Sequence, residues 1–472
     1  MKLIKKFLEF ALGQGIVVII SFIASPIITR IISTDNMGRF SMFNTFSSLF
    51  TLVVLMGLDQ AYIRYYYDES EADRGMLLKF CIKLPLFISV GLSVILLLFY
   101  KKISVFIIGR ESFIMAVLIA VQLFVSIVAR FALLEVRMQQ KAKFYSFLNV
   151  VIKASYIMTV GFLFTVFKDH YYTLIIATVI SNVVMLVIAV TVERGTWLSK
   201  GKKINTSKEE LIRYGIPFIF SMVVTWLFQS IDKMSIRSFC GYEQVGLYSG
   251  AMTIVNILNS IQGAFNIFWT PVALERYSKY PGDREFFSKI NKSISLIMLL
   301  SAIGVITFKD IIIYFLGQDY RSSVFILPYL VFMPVMNCIS ETTVIGINFK
   351  KKTRNHIYIA VITALFNLAG NTILVPYLGA KGAAISTGLS YMVFFLIRTL
   401  ISKQYYKVNY SLGRLMLCTL SCYVLAAYSS FNKFDYIIAA MAVFSVIIVL
   451  LSYYDIVKKV LGLMYKKIRS YT

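Results

Sequence analysis

The feature that most constrains the fold is a series of apolar runs, each about twenty residues long, that recurs along the whole chain. A run of that length crosses the roughly 30 Å hydrocarbon core of a bilayer as an α-helix. Because 58% of the 472 residues are hydrophobic and only 15% are charged, a soluble core could not bury so much apolar surface. The sequence therefore predicts an all-α integral membrane protein.

Fourteen apolar runs can be assigned, with boundaries defined to within a few residues. They lie at 9–32, 40–63, 79–100, 112–134, 144–167, 171–193, 212–237, 246–271, 292–317, 322–348, 355–377, 380–402, 411–430 and 434–455. If the spans alternate, the side that holds both termini carries 35 of the 48 Lys and Arg residues, and the opposite side carries 12. Cytoplasmic loops carry the basic excess, so we expect a multi-pass plasma-membrane protein with cytoplasmic termini.

A short repeat divides the chain into two halves. The segment from Arg30 to Ser41, after the first predicted helix, resembles the segment from Arg237 to Ser249 after the seventh. A repeat with this spacing predicts two parallel six-helix lobes, with substrate bound between them near the midplane. The hydrophilic connection 194–213 marks the lobe boundary. The expected divisions are an N-terminal lobe at 1–200, a C-terminal lobe at 201–407, and a further helix pair with a basic tail at 408–472.

Several function classes do not fit this sequence. The net charge of +25 comes from short basic clusters between apolar runs, so nucleic acid is not an expected partner. The five cysteines and two histidines lack the spacing of a disulfide framework or a metal site. There is no phosphate loop, no nucleophile elbow and no cleavable signal sequence. We therefore expect a transporter without a bound cofactor, rather than an enzyme.

Polar residues at helical spacing inside the apolar runs indicate a cavity. They are Asn256, Asn259, Gln262 and Asn266 in the eighth predicted helix, and Asn337 and Glu341 in the tenth. Interhelical hydrogen bonds, worth about 0.6 kcal/mol each, explain an isolated asparagine well. A stripe of four instead favours a water-lined face, because hydrogen bonding would require a partner for every member. We expect these six side chains to line a cavity.

Charged residues within the spans suggest binding and gating roles. Lys153 lies near the middle of the fifth predicted helix, where a lysine costs about 2.5–3.5 kcal/mol, and it could bind an anionic substrate group or a buried carboxylate. Further candidate cations are Arg30, Lys233 and Arg237, near the outer ends of the first and seventh helices, although interfacial anchoring explains them equally well. Candidates for gating or coupling are Asp59 with Arg64, Glu275 with Arg276, and Asp232.

Two motifs resemble those of the Wzx-type flippases of polysaccharide and oligosaccharide lipids. The first is the repeat itself, Gly38-Arg-Phe-Ser and Val245-Gly-Leu-Tyr-Ser. The second is the run from Asn367 to Thr387, in which an Asn-bearing helix is followed by a proline and a Gly-x-x-Gly-Ala-Ala turn. These flippases belong to the multidrug/oligosaccharidyl-lipid/polysaccharide (MOP) superfamily, which also contains multidrug extruders and lipid II flippases.

The resemblance implies a function and a set of partners. It implies that an undecaprenyl-pyrophosphate-linked oligosaccharide is moved from the cytoplasmic to the outer leaflet by alternating access, for capsule, exopolysaccharide or O-antigen synthesis. A coupled proton or Na⁺ gradient and a neighbouring polysaccharide polymerase are expected by the same resemblance. The alternatives are a lipid II flippase or a cation-coupled multidrug extruder of the same fold. The alternative from another functional class is an enzyme, namely an intramembrane glycosyltransferase or polymerase.

Overall fold

A computed structural model describes residues 2–199, 204–352 and 354–458, with side chains from Gly15 onward. The regular secondary structure of these residues is helical. This is expected because, in lipid, the backbone N–H and C=O groups of a segment must form their hydrogen bonds with one another. The first unit described below contains α1 (Lys2–Ile31), α2 (Thr34–Leu55), α3 (Leu58–Tyr65), α4 (Arg74–Leu98), α5 (Tyr100–Ile108), α6 (Phe113–Met138), α7 (Ala142–Phe167), α8 (Tyr171–Val192), α9 (Arg194–Trp197) and the start of α10 (Lys208–Lys279).

The remainder of α10 begins the second unit. Its other helices are α11 (Arg284–Thr307), α12 (Lys309–Tyr314), a 3-10 helix (Gln318–Phe325), α13 (Leu327–Leu330), α14 (Phe332–Thr343), α15 (Ile345–Phe349), α16 (Arg354–Tyr405), α17 (Leu412–Ser429) and α18 (Tyr436–Ser452). The compact units divide between Met234 and Ser235, inside α10. The sequence placed the division earlier, at residue 200, because a hydrophilic connection looks like a boundary. The predicted third segment belongs to the second unit as far as it is described.

The predicted membrane class is confirmed. Within the described part of the chain, eight helices are long and apolar enough to cross a bilayer, or ten if each of two bent helix pairs counts as one span. Helices α10 and α16 each contain two of the predicted runs, joined at Gly241 and Gly379 with φ of 82° and 57°. All fourteen predicted runs overlap a described helix, while the count of fourteen spans stays a prediction.

A sharp bend between α2 and α3 shapes the first unit. Met56 and Gly57 both have positive φ, and the two helices meet at 54°. A Cβ atom on Gly57 would lie 2.2 Å from the carbonyl oxygen of Gly215 on α10, so only glycine allows this approach. The bend turns α3 onto a core that includes Leu58, Tyr62 and Phe131. Asp59, in the first turn of α3, is positioned by this arrangement.

The motif from Asn367 to Thr387 forms a tight helical hairpin within α16. Gly379 supplies the left-handed turn, and Gly382 packs so closely that a Cβ atom would lie 2.4 Å from the carbonyl oxygen of Leu374. Asn367 Nδ2 donates to Thr387 Oγ1 across the hairpin at 3.2 Å. The motif therefore has a clear packing role in the second unit.

Candidate functional site

A polar cavity of about 450 Å³ lies among the helices of the first unit. The lining residues come from α2, α3, α6, α8 and α10, and the set is Asn44, Ser47, Ser48, Thr51, Leu52, Leu55, Asp59, Gln122, Ser126, Ala129, Arg130, Leu133, Asn182 and Met222. Polar side chains facing lipid would cost free energy, so their convergence on one internal space indicates a ligand path or site. The volume falls in the range of about 300–1,000 Å³ that small-molecule sites occupy.

An ion pair forms part of the cavity wall. Arg130 Nη2 on α6 donates to Asp59 Oδ2 on α3 at 2.9 Å. Asp59 is 2% exposed, whereas half of the Arg130 side chain remains accessible. Gln60 Nε2 also donates to Asp59 Oδ2, at 3.0 Å. The buried carboxylate is therefore neutralised on one oxygen, and the half-accessible guanidinium has further N–H groups without a partner among the described residues.

Three buried oxygens of the lining residues have no hydrogen-bond partner among the described residues. They are Asp59 Oδ1, Gln122 Oε1 and Ser47 Oγ. Gln122 and Ser47 are each 7% exposed, so bulk water does not reach them freely. A buried acceptor left without a donor costs roughly 1–3 kcal/mol. These three oxygens are enclosed by the surrounding protein atoms, so the cost falls on the folded protein itself.

A second buried ion pair lies in the second unit. Arg398 Nη1 on α16 donates to Glu341 Oε1 on α14 at 2.8 Å and to Ser340 Oγ at 2.9 Å. The two charged side chains are 9% and 17% exposed. Trp269 Nε1 donates to the backbone oxygen of Glu341 at 3.0 Å. Glu341 was expected to line a cavity, and its observed environment is this pair.

The Arg398 pair should contribute measurably to stability. We expect Glu341→Gln to lower the free energy of unfolding by about 1.5–3 kcal/mol, because a charge-assisted hydrogen bond is lost in a buried setting. Glu285→Gln is the matched control, since its carboxylate is 76% exposed and its pair with Lys289 is worth little. Unfolding of the purified protein in detergent measures both. Equal stability of the two variants would contradict the assignment.

Arg130 and Arg398 were missed as site residues. In the sequence, Arg130 lies near Arg137 and Arg398 lies near Lys403. Each arginine was therefore counted with the basic residues that set the topology. Both arginines lie inside helices, with Arg130 seven residues before Arg137 and Arg398 five residues before Lys403. An arginine about one helical turn inside an apolar run was the available signal, but its partner, 71 or 57 residues away, could not be identified.

The predicted cations are not among the residues that line the cavity of the first unit. Lys153 is half-buried on α7, which packs against α1 and α8, and no carboxylate of the described side chains pairs with it. Arg30 is exposed in the last turn of α1. Lys233 lies next to the buried Asp232 at the end of the first unit. Arg237 Nε donates to Tyr242 Oη at 3.2 Å. Their binding roles stay predictions.

The expected polar stripe has mixed surroundings in the structure. Asn256 is exposed and accepts a hydrogen bond from Asn259 Nδ2 at 3.2 Å. Gln262 is buried, and Asn266 Oδ1 is buried without a partner among the described residues. Asn337 on α14 is half-buried. The stripe therefore runs from an exposed to a buried end, and its role as a cavity lining stays a prediction.

The expected gate pairs have different partners, which corrects the sequence-based pairing. Arg64, near the end of α3, pairs with Asp68 in the turn that follows the helix, at 2.8 Å, and Asp59 pairs with Arg130.

The pairing at the end of α10 is also corrected. Glu275 pairs with Lys279 at 2.6 Å, again four residues apart. Arg276 instead reaches Asp283 in the following loop, with 2.8 Å between Nε and Oδ2. That hydrogen bond lowers the pKa of Asp283 below its ordinary value. Glu275 and Arg276 are adjacent on α10 and point about 100° apart, and Asp59 and Arg64 are five residues apart on α3 and point about 140° apart, so each of these side chains has another partner.

No group of three or more His, Cys, Asp or Glu side chains suited to a metal ion occurs in the described part of the chain. The polar groups of the first-unit cavity are instead one ion pair, amides and hydroxyls. This chemistry suits hydrogen bonding to a polar ligand.

Comparisons with known proteins place this geometry in a wider context. A family model described as "Polysaccharide biosynthesis protein" matches residues 3–273. An uncharacterized membrane protein of Haemophilus influenzae is 22% identical over 416 residues, which cover 84% of this chain and 93% of that protein. The probable low-salt glycan biosynthesis flippase Agl15 of Haloferax volcanii is 24% identical over 225 residues, or 46% of each chain.

Two solved structures share the fold. The lipid II flippase MurJ in an inward closed conformation matches with a TM-score of 0.72 at 16% identity, covering 97% of this chain and 99% of MurJ. An inward-facing multidrug resistance MATE family transporter of the MOP superfamily matches with a TM-score of 0.61 at 14% identity, covering 83% and 94%. At these identities the likeness establishes the fold alone, which this chain shares with MurJ and with the MATE transporter.

Proposed function

Because the chain belongs to the polysaccharide biosynthesis protein family, we propose that it is a flippase for a lipid-linked oligosaccharide. Its substrate would be an undecaprenyl-pyrophosphate-linked repeat unit, moved from the cytoplasmic to the outer leaflet by alternating access. The product would supply a surface polysaccharide such as a capsule, an exopolysaccharide or O-antigen.

The observation that carries this proposal is the polar cavity of the first unit. A glycan carries many hydroxyl groups that cannot cross hydrocarbon without hydrogen-bond partners. The cavity supplies such partners between spanning helices, in Asn44, Gln122, Asn182 and the Asp59–Arg130 pair. Named relatives agree with a flippase, since Agl15 is described as a probable glycan biosynthesis flippase.

Energy coupling and location complete the proposal. We propose a proton or Na⁺ gradient as the energy source, with Asp59 and Glu341 as the carboxylates for which the cation would compete with Arg130 and Arg398. The proposed location is the plasma membrane with both termini cytoplasmic, because the basic residues favour that orientation. A polysaccharide polymerase is the proposed neighbour, since a flipped repeat unit must be joined to others.

The test is the leaflet location of the lipid-linked repeat unit in cells depleted of the protein. An impermeant glycan-binding probe labels only repeat units on the outer face. We expect depletion to abolish outer labelling while the repeat unit accumulates inside, and re-expression to restore it. Re-expression of a control variant, Arg137→Ala, should restore labelling too, because Arg137 is exposed at the end of α6.

Other outcomes would identify the alternatives. Normal outer labelling with altered sensitivity to cationic drugs would overturn the proposal in favour of a multidrug extruder. A selective defect in peptidoglycan precursor export would indicate a lipid II flippase. Loss of the repeat unit itself, on both faces, would indicate an intramembrane glycosyltransferase or polymerase.

A further inference from the structure

A pocket of about 530 Å³ lies in the second unit, where α16 ends and the chain continues toward α17. Its lining residues are Leu400, Lys403, Gln404, Lys407, Val408 and Asn409. The first three belong to the last turns of α16, and the other three belong to the connection that follows it. The lining set contains two lysines and no acidic residue, so the pocket carries two positive charges.

The carboxylates of the neighbouring segments have other partners. The start of α11 lies beside the pocket, because Ser288 Oγ donates to the backbone oxygen of Asn409 at 2.6 Å. On α11, the carboxylate of Glu285 pairs with Lys289 at 2.5 Å. Lys403 and Lys407 themselves pair with no carboxylate among the described side chains. Their charges are therefore not neutralised within the second unit as far as it is described.

The two amide side chains of the pocket add further hydrogen-bond donors. Asn409 Oδ1 accepts the backbone N–H of Ser411 at 3.0 Å, so both hydrogens of the Asn409 amide remain for a ligand. Gln404 is exposed and carries a second amide group. Together with the two ammonium groups, these amides give the pocket four side chains that can donate to one ligand.

An anion with several acceptor oxygens fits this arrangement. Two ammonium groups in one pocket repel each other, and an anion bound between them removes that repulsion. Lysine is a common ligand of phosphate, and hydrogen bonds from a cation to a phosphate oxygen are stronger than those between neutral groups. A cationic ligand would instead be repelled by Lys403 and Lys407. The pocket therefore favours a phosphate group.

An exposed apolar helix face leads directly to the pocket. Leu389, Leu396, Leu400 and Lys403 follow one another at intervals of seven, four and three residues, which places them on one face of α16. Leu389 and Leu400 are exposed, and Leu396 is half-buried. Because α16 is apolar enough to cross a bilayer, this face can contact acyl chains. A phosphate group joined to hydrocarbon would use both the lysines and the leucines, whereas a soluble phosphate would use only the lysines.

We propose that this pocket binds the headgroup of an anionic glycerophospholipid. Lys403 and Lys407 hold the phosphate, and Gln404 and Asn409 donate to its oxygens. An acyl chain of the same lipid lies along Leu400. In the proposed orientation the pocket faces the cytoplasmic leaflet, where anionic lipids attract basic residues. The site is separate from the cavity of the first unit, and it does not depend on the proposed flippase function.

Basic residues beside a span also set the topology of a membrane protein, and a second pair of lysines allows that role to be distinguished. Lys350 and Lys352 are exposed in the same unit, on the same predicted side of the membrane, and they do not line this pocket. If the lysines act only through their charge, both pairs should influence lipid binding equally. A lipid site requires that only Lys403 and Lys407 do so.

Lipid titration of the purified full-length protein, followed by native mass spectrometry, tests the proposal. The probes are dioleoyl-phosphatidylglycerol and, as a neutral lipid with the same chains, dioleoyl-phosphatidylcholine. Lys403→Gln combined with Lys407→Gln removes both cations of the pocket, and Lys403→Arg combined with Lys407→Arg retains them. Lys350→Gln combined with Lys352→Gln is the control that removes the same charge elsewhere.

We expect the Kd of the tightest phosphatidylglycerol site to rise about tenfold when both pocket lysines become glutamine. The arginine pair and the control pair should bind phosphatidylglycerol as the native protein does, and phosphatidylcholine should bind all four proteins alike. Each single variant, Lys403→Gln or Lys407→Gln, should lose part of the affinity, so the test does not depend on folding of the double variant.

Three results would overturn the lipid site. Equal loss of affinity in the two glutamine pairs would show that net charge alone attracts the lipid. Displacement of phosphatidylglycerol by inorganic phosphate at an equal concentration would show that the pocket binds a soluble anion and that the hydrocarbon contributes nothing. Tighter binding of undecaprenyl pyrophosphate than of phosphatidylglycerol, lost in the pocket pair alone, would assign the pocket to the proposed carrier lipid instead.

Discussion

Arg130→Ala should lower the free energy of unfolding by about 3–5 kcal/mol, because it leaves the buried Asp59 carboxylate without its counter-ion. It should also abolish outer-leaflet labelling if the proposed flippase function is right, since Arg130 lines the cavity of the first unit. Unfolding of the full-length protein in detergent gives the first quantity, and the depletion assay gives the second. Arg137→Ala, on the same helix but exposed, should change neither.

A double variant distinguishes the effect of removing the whole ion pair from the effect of leaving one buried charge without its partner. Asp59→Asn combined with Arg130→Gln removes both charges and retains hydrogen-bonding groups, so it should recover most of the stability lost in Arg130→Ala. Transport should remain impaired if the charged groups also contact the substrate. The pairing would be contradicted if Arg130→Ala were as stable as Arg137→Ala, or if the double variant were less stable than Arg130→Ala.

Gly57→Ala should cost about 2–5 kcal/mol of stability, since it combines a left-handed backbone position with overpacking. The new Cβ atom would lie 2.2 Å from the carbonyl oxygen of Gly215, and two backbone segments must separate to admit it. Asp59 is two residues away, so the displacement should also weaken its contact with Arg130 and reduce transport.

Gly91→Ala is the matched control for that variant. Gly91 lies within α4, and a Cβ atom there would meet nothing within 4 Å. In a helix interior, alanine is favoured over glycine by roughly 0.5–1 kcal/mol, so the control should be neutral or slightly stabilising. Melting of both purified variants by circular dichroism compares them directly. If the Gly57→Ala protein had the same melting temperature as the Gly91→Ala control, the α2–α3 bend would be shown to tolerate a side chain.

The cavity changes the picture of substrate recognition that the sequence suggested. A lysine inside a span pointed to an anion site, yet Lys153 is not among the cavity-lining residues, and the charges that do line it cancel. The other polar groups of the lining are amides and hydroxyls, which both donate and accept hydrogen bonds.

The membrane class and the family could be predicted from the sequence because both depend on local features. An apolar run of about twenty residues spans a bilayer whatever surrounds it, and every predicted run overlaps a described helix. The glycine-rich hairpin from Asn367 to Thr387 was recognisable for the same reason, since Gly379 adopts a conformation that few other residues allow. The family itself is confirmed by the match of the family model to residues 3–273, which include both copies of the short repeat but not this hairpin.

Only the tertiary structure decided which charges belong to the site. Arg130 and Arg398 look like topology-setting residues in the sequence, because the carboxylates that neutralise them lie 71 and 57 residues away. Asp59 was singled out, but with Arg64, which pairs with Asp68 one helical turn away. Which side chains face a common cavity depends on how helices pack and bend, as at Gly57, and a single sequence records hydropathy but not those long-range contacts.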